Sequence, residues 1–371
     1  MKYMNLYRGY EKRKEAIDKR ISSIIERSQF IFGEELEELE SELSKYTGAK
    51  YAVGVSSGHV GLVLSLLALG FDAGENHSNK EVIVPAMTFF STAEAPAFLG
   101  MKVVVCDIDE YFNMDTKKLE SLINKNTVAL IPVNLFGQCA NYDIILDIAK
   151  KNNIFVIEDA CQSFGASYKS VKSCSGKLGD IAVTSFFPAK PLGCFGDGGM
   201  VFTNNEEYYK NLKRLRHHGD EGGMVHVQLG TTGRLDNLQA GILLEKFKFF
   251  EEDMNHRREA AKYYNEKLKD IVKVPEVAEY TESVHAQYVI QVKENRDEVR
   301  KKLSELGIPT ALYYPHPIHL APVLIEKLGY KEGDMPNSEY ASKHNIALPI
   351  DNDILKEEQD LVIDALKKIL K

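Results

Sequence analysis

Tryptophan is absent from the 371 residues, and cysteine occurs only five times, at Cys106, Cys139, Cys161, Cys174 and Cys194. The cysteines are odd in number and no two of them have the C-x-x-C spacing. We therefore predict neither a disulfide framework nor a zinc site, and no other metal site. Unpaired cysteines fit a reducing compartment, so we expect the protein in the cytoplasm.

Positive charge is not in excess, because 46 Lys and Arg stand against 54 Asp and Glu, a formal net charge of −8. Since the sequence also lacks a basic stripe, nucleic acid is not expected as a partner. No apolar run approaches the roughly 20 residues of a membrane-spanning helix, and residues 1–16 lack the apolar core of a secretory leader. We expect no membrane partner.

Short apolar runs rich in β-branched residues alternate with segments of helical length. The runs are YAVGVSS (51–57), EVIVPA (81–86), KVVVCDI (102–108), TVALIPVNL (127–135), IFVIED (154–159) and IAVTSFF (181–187). This pattern is typical of an α/β fold with a mostly parallel sheet covered on both faces. Because the chain is too long for one small core, we predict a large domain at 1–245 and a smaller α+β domain at 246–371.

The second half of the chain has a different pattern. Residues 234–270 are helical in pattern, as one long helix or as two helices with a bend near 251–255. Beyond them the sequence predicts strands at 285–292 and 309–314 and helices at 296–306 and 356–371. The pair Asp197-Gly198 before GMVFTN predicts a hairpin turn.

Three of the predicted strands supply polar residues that suit one another. Asp159 ends one run, the segment IAVTSFFPAK contains Ser185 and Lys190, and Ser56 and Ser57 precede a helix. Ligands of open α/β sheets gather at the carboxyl ends of the strands, and the N–H groups at a helix start favour an anion. An amine, a carboxylate and a phosphate cradle are what pyridoxal 5′-phosphate requires.

Each of these features also has a purely structural interpretation. Lys190 could be a surface lysine lying over apolar neighbours, Asp159 a helix cap, and Ser57-Gly58 an ordinary turn between strand and helix. Their combination on successive strands favours the cofactor site. In that site, apolar surroundings lower the pKa of Lys190 so that its neutral amine attacks an aldehyde, and the glycines after it let the backbone approach the cofactor.

The blocks VIEDACQSFGA (156–166) and GDIAVTSFFPAKPLGCFGDGGMVFTNN (179–205) resemble those of the DegT-type sugar-nucleotide aminotransferases. The resemblance extends from residue 32 to residue 350, nearly the whole chain. It implies a pyridoxal-phosphate enzyme of fold type I, with a seven-stranded, mostly parallel sheet in the large domain. It also implies a homodimer with shared active sites.

The resemblance assigns roles to individual residues. Lys190 is implied as the catalytic Schiff-base lysine, Asp159 as the partner of the pyridine nitrogen, and Gln162 as a neighbour of the ring hydroxyl. Phe89 occupies the position that stacks on the ring. The cofactor phosphate is expected to lie among Ser57, Gly58, His59, Ser185 and Thr232. Phe89 is equally compatible with a core position and Gln162 with a polar cap.

The sequence departs from the family pattern at three positions. His59 stands where threonine is usual, as an extra phosphate contact or a neutral substitution. Thr232 replaces an asparagine that reaches the phosphate across a dimer interface, and its hydroxyl can still donate one hydrogen bond. Ala189 replaces the usual serine or threonine before Lys190. None of these changes removes the catalytic lysine.

Two segments are candidates for binding the substrate. Arg234 is expected to meet a phosphate or carboxylate, or else forms a surface ion pair. The segment YYPHPIH (313–319) resembles a family substrate loop, with Tyr314, His316 and His319 as candidates, or else is a Pro-rich packing loop. Residues 217–230 are a cross-subunit or substrate loop or an ordinary surface loop.

The implied reaction transfers an amino group from L-glutamate to a nucleotide-linked keto-sugar, in amino-sugar and polysaccharide biosynthesis. The combination RLD followed by LQA is more similar to members that aminate C3 than to those that aminate C4. One alternative is a sugar dehydratase, a subgroup in which histidine replaces the lysine, and Lys190 argues against it. The other is a non-catalytic regulator of the same fold.

Overall fold

The computed structural model describes residues 1–293 and 295–370. Its strands are β1 (Tyr51–Val55), β2 (Glu81–Pro85), β3 (Lys102–Cys106), β4 (Thr127–Leu130), β5 (Phe155–Asp159), β6 (Ser167–Tyr168), β7 (Val171–Lys172), β8 (Ile181–Ser185), β9 (Gly199–Thr203), β10 (Thr281–Glu282), β11 (Tyr288–Gln291) and β12 (Asn345–Leu348). Seven of them form the central sheet in the order β1-β9-β8-β5-β4-β2-β3. Only β9 is antiparallel to its neighbours, so the predicted seven-stranded, mostly parallel sheet is confirmed.

The helices follow the strands in the alternating pattern that the sequence predicts. They are α1 (Leu6–Arg27), α2 (Glu34–Thr47), α3 (Gly58–Ala68), α4 (Ser91–Phe98), α5 (Thr116–Leu122), α6 (Tyr142–Asn152), α7 (Glu206–Leu215), α8 (Asn237–Phe247), α9 (Phe250–Leu268), α10 (Arg296–Glu305), α11 (Pro322–Leu328), α12 (Pro336–His344) and α13 (Lys356–Leu370). In the described part of the chain, no helix is apolar over a length that would cross a bilayer.

Both faces of the central sheet are buried, which explains why its strands are continuously apolar. Along β2, Ile83 joins one buried cluster with residues of α2 and α8. Its neighbours Val82 and Val84 point the other way, into a second cluster with α3 and α4. Since successive side chains of a strand face opposite sides, helices on both faces favour apolar residues at most positions.

The C-terminal part has a buried cluster of its own, formed by α9, α10, α13, β11 and β12. The N-terminal helix α1 also contacts this part, because the N–H of Asn5 donates to Asp351 at 2.7 Å and Arg8 forms an ion pair with Glu358 at 2.9 Å. The predicted boundary between residues 245 and 246 falls inside α8, and it stays a prediction.

The helical region after residue 234 consists of two helices, with the break at residues 248–249 rather than at the predicted 251–255. Glu251, Glu252 and Asp253 occupy the first turn of α9. Carboxylates at this position interact favourably with the positive end of a helix, so these acidic residues mark a helix start and not a bend.

Two local predictions are wrong. Asp197-Gly198 does not form a tight hairpin turn, because β8 and β9 are joined by the longer segment 186–198. Residues 309–314 form only one bridge, between Ala311 and Ala347, where a strand was predicted. The chain turns away there and brings Tyr313 and Tyr314 to a cavity. The strand that pairs with β11 is β12, which the sequence pattern did not reveal.

Candidate active site

A cavity of about 500 Å³ lies at the carboxyl ends of β1, β5 and β8. These are the strand ends at which the sequence analysis placed the polar residues. The cavity brings together most of the predicted site residues, namely Ser57, Gly58, His59, Phe89, Asp159, Gln162, Ser185, Lys190 and Tyr314.

Lys190 follows β8 in a tight turn, in which its N–H donates to the carbonyl of Phe187 at 2.8 Å. Burial lowers the pKa of Lys190, whereas the nearby Cys161 and Asp159 act in the opposite direction. No side-chain hydrogen bond from the described residues contributes to the environment of this amine. A lysine with these surroundings is an available nucleophile rather than a structural ion-pair partner.

Asp159 is the last residue of β5, and both of its carboxylate oxygens are held in place. Oδ1 accepts the N–H of Cys161 at 3.1 Å, and Oδ2 accepts the hydroxyl of Thr92 at 2.8 Å. Thr92 is in turn 2.9 Å from the hydroxyl of Thr88. The carboxylate is buried and therefore presents one fixed orientation to the cavity.

Gln162 connects the central sheet to the C-terminal part of the chain. Its Oε1 accepts the N–H of Phe136 at 2.9 Å, and its Nε2 donates to the hydroxyl of Tyr314 at 3.0 Å. Tyr314 comes from the segment after α10, far away in sequence, and lines the same cavity. Gln162 therefore orients a tyrosine hydroxyl as well as its own amide.

The start of α3 forms one end of the cavity. Ser57 caps the helix by accepting the N–H of Val60 at 3.1 Å. Gly58 has no room for a side chain, since a Cβ there would lie 2.8 Å from the Sγ of Cys161 and 3.0 Å from the Cβ of Ser185. Free N–H groups at such a helix start bind an anion.

Phe89 lies on the rim of the cavity and is 57% exposed. Its ring centroid is 6.1 Å from that of Tyr314, with the planes inclined at 44°. A flat aromatic ligand would cover this exposed ring by offset stacking. The available amine, the fixed carboxylate, the anion cradle and the exposed ring together fit pyridoxal 5′-phosphate.

Three other predicted residues lie outside the cavity lining but remain accessible. Thr232 is exposed, and its hydroxyl is 2.9 Å from Nε2 of His218. Arg234 contacts Nδ1 of His217 at 3.1 Å and lines a second, open cavity together with residues of the segment 217–230. His316 is exposed.

His319 is the one predicted substrate residue whose position contradicts direct contact. It is completely buried, and its Nε2 lies 2.9 Å from Oε1 of Glu339. That carboxylate also accepts the N–H groups of Gly333 and Met335, at 2.8 Å and 3.2 Å. His319 is therefore part of a buried polar cluster that holds the loop before α12, and the prediction that it contacts substrate is wrong.

Several residues of the site are not evident from the sequence. Thr88 and Thr92, which fix Asp159, stand four residues apart around a helix start, a spacing that does not by itself indicate a function. Further lining residues that were not predicted include Cys161, Asp197, Gln287 and Tyr313. Gln287 and Tyr313 come from the C-terminal part of the chain, so only its packing against the central sheet reveals them. Apart from that of His319, the roles of the predicted site residues stay predictions.

Comparison with known proteins agrees with this site. The model of the DegT/DnrJ/EryC1/StrS aminotransferase family matches residues 11–367. The UDP-2-acetamido-2-deoxy-3-oxo-D-glucuronate aminotransferase of Pseudomonas aeruginosa is 40% identical over 352 residues, which cover 94% of this chain and 95% of that protein. The pleiotropic regulatory protein of Geobacillus stearothermophilus is 38% identical over 368 residues, 98% and 96% of the two chains.

Among solved structures, DesV of S. venezuelae in complex with a ketimine intermediate has a TM-score of 0.95 at 31% identity, covering 100% of this chain and 98% of that chain. The predicted fold, enzyme class and pyridoxal-phosphate dependence are confirmed by these matches. A match over nearly the whole chain, together with a cavity that fits the cofactor, leads to one conclusion: the protein belongs to the DegT/DnrJ/EryC1/StrS aminotransferase family.

Proposed function

We propose that the protein transfers the amino group of L-glutamate to C3 of a nucleotide-linked 3-keto-sugar. The Pseudomonas relative, at 40% identity, is named for a 3-oxo sugar linked to UDP. A second relative, 34% identical over 352 residues, is named as a 3-aminotransferase of a UDP-linked 3-dehydro sugar in Acidithiobacillus ferrooxidans. Both names support C3 rather than C4 as the site of amination.

The observation that carries the proposal is the arrangement of Lys190 and Asp159 in one cavity. The amine has no hydrogen-bonding side chain beside it among the described residues, while each oxygen of the carboxylate is held by a separate donor. A structural lysine would be expected to pair with this carboxylate. An amine kept free and partly desolvated is suited to covalent and proton-transfer chemistry.

Pyridoxal phosphate, when bound, supplies an aldehyde for imine formation and an electron sink for the carbanion formed next to the amino group. Four groups of the chain itself have roles. Lys190 holds the aldehyde and later moves the proton at the α-carbon of the amino donor. Asp159 faces the cofactor with a negative charge of fixed orientation. The N–H groups at the start of α3 hold the phosphate, and Phe89 excludes water from one face of the ring.

A second copy of the chain completes the proposed site. The basic side chains in the cavity lining of this chain are His59 and Lys190, which leaves no arginine among the described lining residues to bind a nucleotide diphosphate. Arg234 and Thr232 lie at the segment 217–230, whose Met224 and Leu229 are 82% and 65% exposed. Apolar side chains this exposed are suited to burial against a partner, so we infer that this segment reaches the cavity of a second subunit.

The substrate is tested with a panel of UDP-, dTDP- and GDP-linked 3-keto and 4-keto sugars. Each is incubated with the holoenzyme and L-glutamate, and mass spectrometry follows the amino sugar and 2-oxoglutarate together. We expect equal amounts of both products with one or more 3-keto sugars. Amination of 4-keto sugars alone would overturn the choice of C3, and loss of a hydroxyl without 2-oxoglutarate formation would indicate a dehydratase.

A non-catalytic regulator remains the alternative from another functional class, because the Geobacillus relative is named as a regulatory protein. The two functions are distinguished by covalent chemistry. An aminotransferase binds pyridoxal phosphate through Lys190, turns yellow and consumes glutamate. A protein that stays colourless after addition of the cofactor, and converts no glutamate with any sugar of the panel, would support the regulator.

We also propose the cytoplasm as the location of the reaction. All five cysteines are free, and four of them are buried. Unpaired thiols of this kind persist in a reducing compartment. Fractionation of cells that express the native protein would test the location.

A further inference from the structure

The segment 186–198, which we call the lysine loop, folds back on itself around Lys190. The N–H of Cys194 donates to the carbonyl of Phe186, and the N–H of Phe186 donates to the carbonyl of Gly198, both at 2.8 Å. A Cβ at Gly193 would lie 2.5 Å from the carbonyl oxygen of Pro188, so the returning chain rests directly on the backbone before Lys190. A shift of Gly193 therefore moves the turn that carries the amine.

Three side chains from outside the lysine loop bind its main chain just after Lys190. They are Asn352, whose Nδ2 donates to the carbonyl of Pro191 at 3.0 Å, Lys246, whose Nζ donates to the carbonyl of Gly193, and Gln239, whose Oε1 accepts the N–H of Phe195 at 2.8 Å. Gln239 and Lys246 lie on α8, and Asn352 lies between β12 and α13. None of the three belongs to the described lining of the cavity.

Asn352 is itself held firmly. Its Oδ1 accepts the Nε of Arg257, and its Nδ2 is also 3.2 Å from Oδ2 of Asp253. Arg257 is completely buried, and Asp253 forms a buried ion pair with Arg13 of α1 at 2.5 Å. The contact to Pro191 is therefore backed by a network that joins α1, α9 and the C-terminal part.

Lys246 is only partly exposed, and its amine has two contacts, a hydrogen bond to the carbonyl of Gly193 and a position 5.6 Å from the centroid of the Phe195 ring. Burial lowers the pKa of Lys246 to about 8, with Arg13 acting in the same direction and with Cys194, Asp253 and Asp353 acting against it. An apolar side chain of similar length would pack in the same position without the cost of burying an amine. Both contacts of the amine, to Gly193 and to Phe195, are made to the lysine loop.

We propose that Asn352, Lys246 and Gln239 act as a clamp on the lysine loop, positioning residues that keep the amine of Lys190 in reach of the cofactor. This inference rests on the proposed function, since it assumes that Lys190 is the reacting amine. The clamp acts through the backbone and contacts neither cofactor nor substrate. Its loss should therefore lower the rates of steps that use Lys190 and leave the KM for the sugar nucleotide nearly unchanged.

The test compares Lys246→Met, Asn352→Leu and Gln239→Met with wild type. Gln359→Met is the matched control, because Nε2 of Gln359 also makes a buried hydrogen bond to a carbonyl, that of Ala260 at 2.8 Å, away from the lysine loop. Apoprotein is mixed with pyridoxal phosphate, trapped with borohydride at successive times, and the labelled Lys190 peptide is quantified by mass spectrometry. Thermal unfolding of each apoprotein is measured in parallel.

We expect each clamp variant to label Lys190 about 10- to 100-fold more slowly than wild type, with a similar fall in kcat and a change in KM of less than about twofold. Gln359→Met should label at the wild-type rate although its unfolding temperature falls. Gln239→Glu keeps an acceptor for the N–H of Phe195, so its rate of Lys190 labelling should remain close to that of wild type. General destabilisation by a change at position 239 would slow both Gln239 variants, so it would not explain a difference between them.

Wild-type labelling rates in all three clamp variants, with unfolding temperatures lowered as in Gln359→Met, would overturn the clamp. If wild type itself fails to label at Lys190, the proposed function and the clamp are both wrong. If labelling slows as expected but no keto-sugar is aminated, the clamp stands and the proposed substrate is wrong.

Discussion

The inner wall of the cavity, formed by Asp159, Gln162 and Lys190, and the segment 217–230 are two parts of one predicted site. They differ in burial and in how their polar atoms are hydrogen-bonded. On the inner wall, Asp159 and Gln162 are buried and their polar atoms are hydrogen-bonded within the chain. In the segment 217–230, Met224, Val225, Val227 and Leu229 are exposed. The difference supports the proposal that one chain preorganises the covalent chemistry, whereas substrate binding depends on a second copy.

The cause of the difference is the support beneath each part. Asp159 ends a strand that is paired on both sides, by β4 and β8, so its position follows from the sheet. The segment 217–230 belongs to no sheet; it has one isolated bridge within itself, from Asp220 to His226, and one to the chain beyond it, from His217 to Thr232. A segment outside the sheet with so much exposed apolar surface is suited to burial against a partner, as the proposed function requires.

The largest expected effect is on the inner wall. Lys190→Ala removes the amine that holds the aldehyde and moves the proton, so kcat should fall on the order of 10³-fold or more. Glutamate-dependent formation of 2-oxoglutarate is the measurement. Lys210→Ala, which removes an exposed ion pair with Glu206 on α7, is the control and should be silent. Retention of a tenth of the wild-type rate by Lys190→Ala would contradict the mechanism.

A smaller but still large effect is expected at Asp159. Asp159→Asn keeps the size of the side chain and removes its charge opposite the cofactor, so kcat should fall by roughly 10²- to 10³-fold. Thr92→Val removes only the hydroxyl that orients Oδ2 and should cost about tenfold. Equal losses in the two variants would mean that orientation, rather than charge, is the contribution of Asp159.

The exposed segment should respond differently. Leu229→Asp places a charge in the proposed subunit interface, so the dimer should dissociate in sedimentation experiments and turnover should fall about tenfold or more. Labelling of Lys190 by pyridoxal phosphate should change by less than about threefold, because the inner wall belongs to one chain. Leu361→Asp, at a similarly exposed position of α13, is the control. If the wild-type protein sediments as a monomer, the proposed subunit interface at the segment 217–230 is wrong.

The pH dependence of labelling measures how strongly the inner wall perturbs its amine. The neutral amine is the reactive form, and burial lowers the pKa of Lys190 from its ordinary value of 10.5. The rate of labelling should therefore rise with pH and become half-maximal below 10.5, whereas a free lysine derivative in the same buffer follows the ordinary value. Coincident profiles would show that the site does not activate Lys190.

The smallest expected effect comes from behind the inner wall. Glu158 is completely buried, and burial raises its pKa to about 7, against donors from Ser173, Cys174 and Asn134. Between its ordinary pKa of 4.5 and this raised value, the unfolded chain loses the proton first, so stability falls as pH rises through this window. Across this window, the free energy of unfolding measured with urea should fall by roughly 1–3 kcal/mol less in Glu158→Gln than in wild type. The same dependence of the free energy of unfolding on pH in wild type and in Glu158→Gln would contradict the raised pKa of Glu158.

Much of the fold was accessible from the sequence because both faces of the sheet are covered. The runs that end at Asp159 and Ser185 are continuously apolar for that reason, and their last polar residues stand out. Segments without such a pattern were misjudged. Residues 309–314 look like a strand but make one bridge, and the acidic residues at 251–253 begin a helix where a bend was expected.

The site residues, too, divide into those that the sequence predicts and those that it does not. The residues at strand ends were predictable, since parallel strands bring their carboxyl ends to one edge. Thr92 was not, because nothing in its neighbourhood indicates that its hydroxyl meets a carboxylate 67 positions away. His319 was misassigned, because a histidine in a loop has the same sequence context whether it faces a cavity or a buried glutamate.

The sequence by itself determined which segments become strands and which polar residues stand at their ends, because burial on both faces is written into every position of a strand. Only the tertiary structure decided which distant side chains meet there: Tyr314 at Gln162, and Asn352 and Lys246 at the lysine loop. The physical reason is the distance along the sequence over which the two kinds of interaction act. Backbone pattern is set by neighbouring residues, whereas a hydrogen bond between remote segments depends on how the two parts of the chain pack.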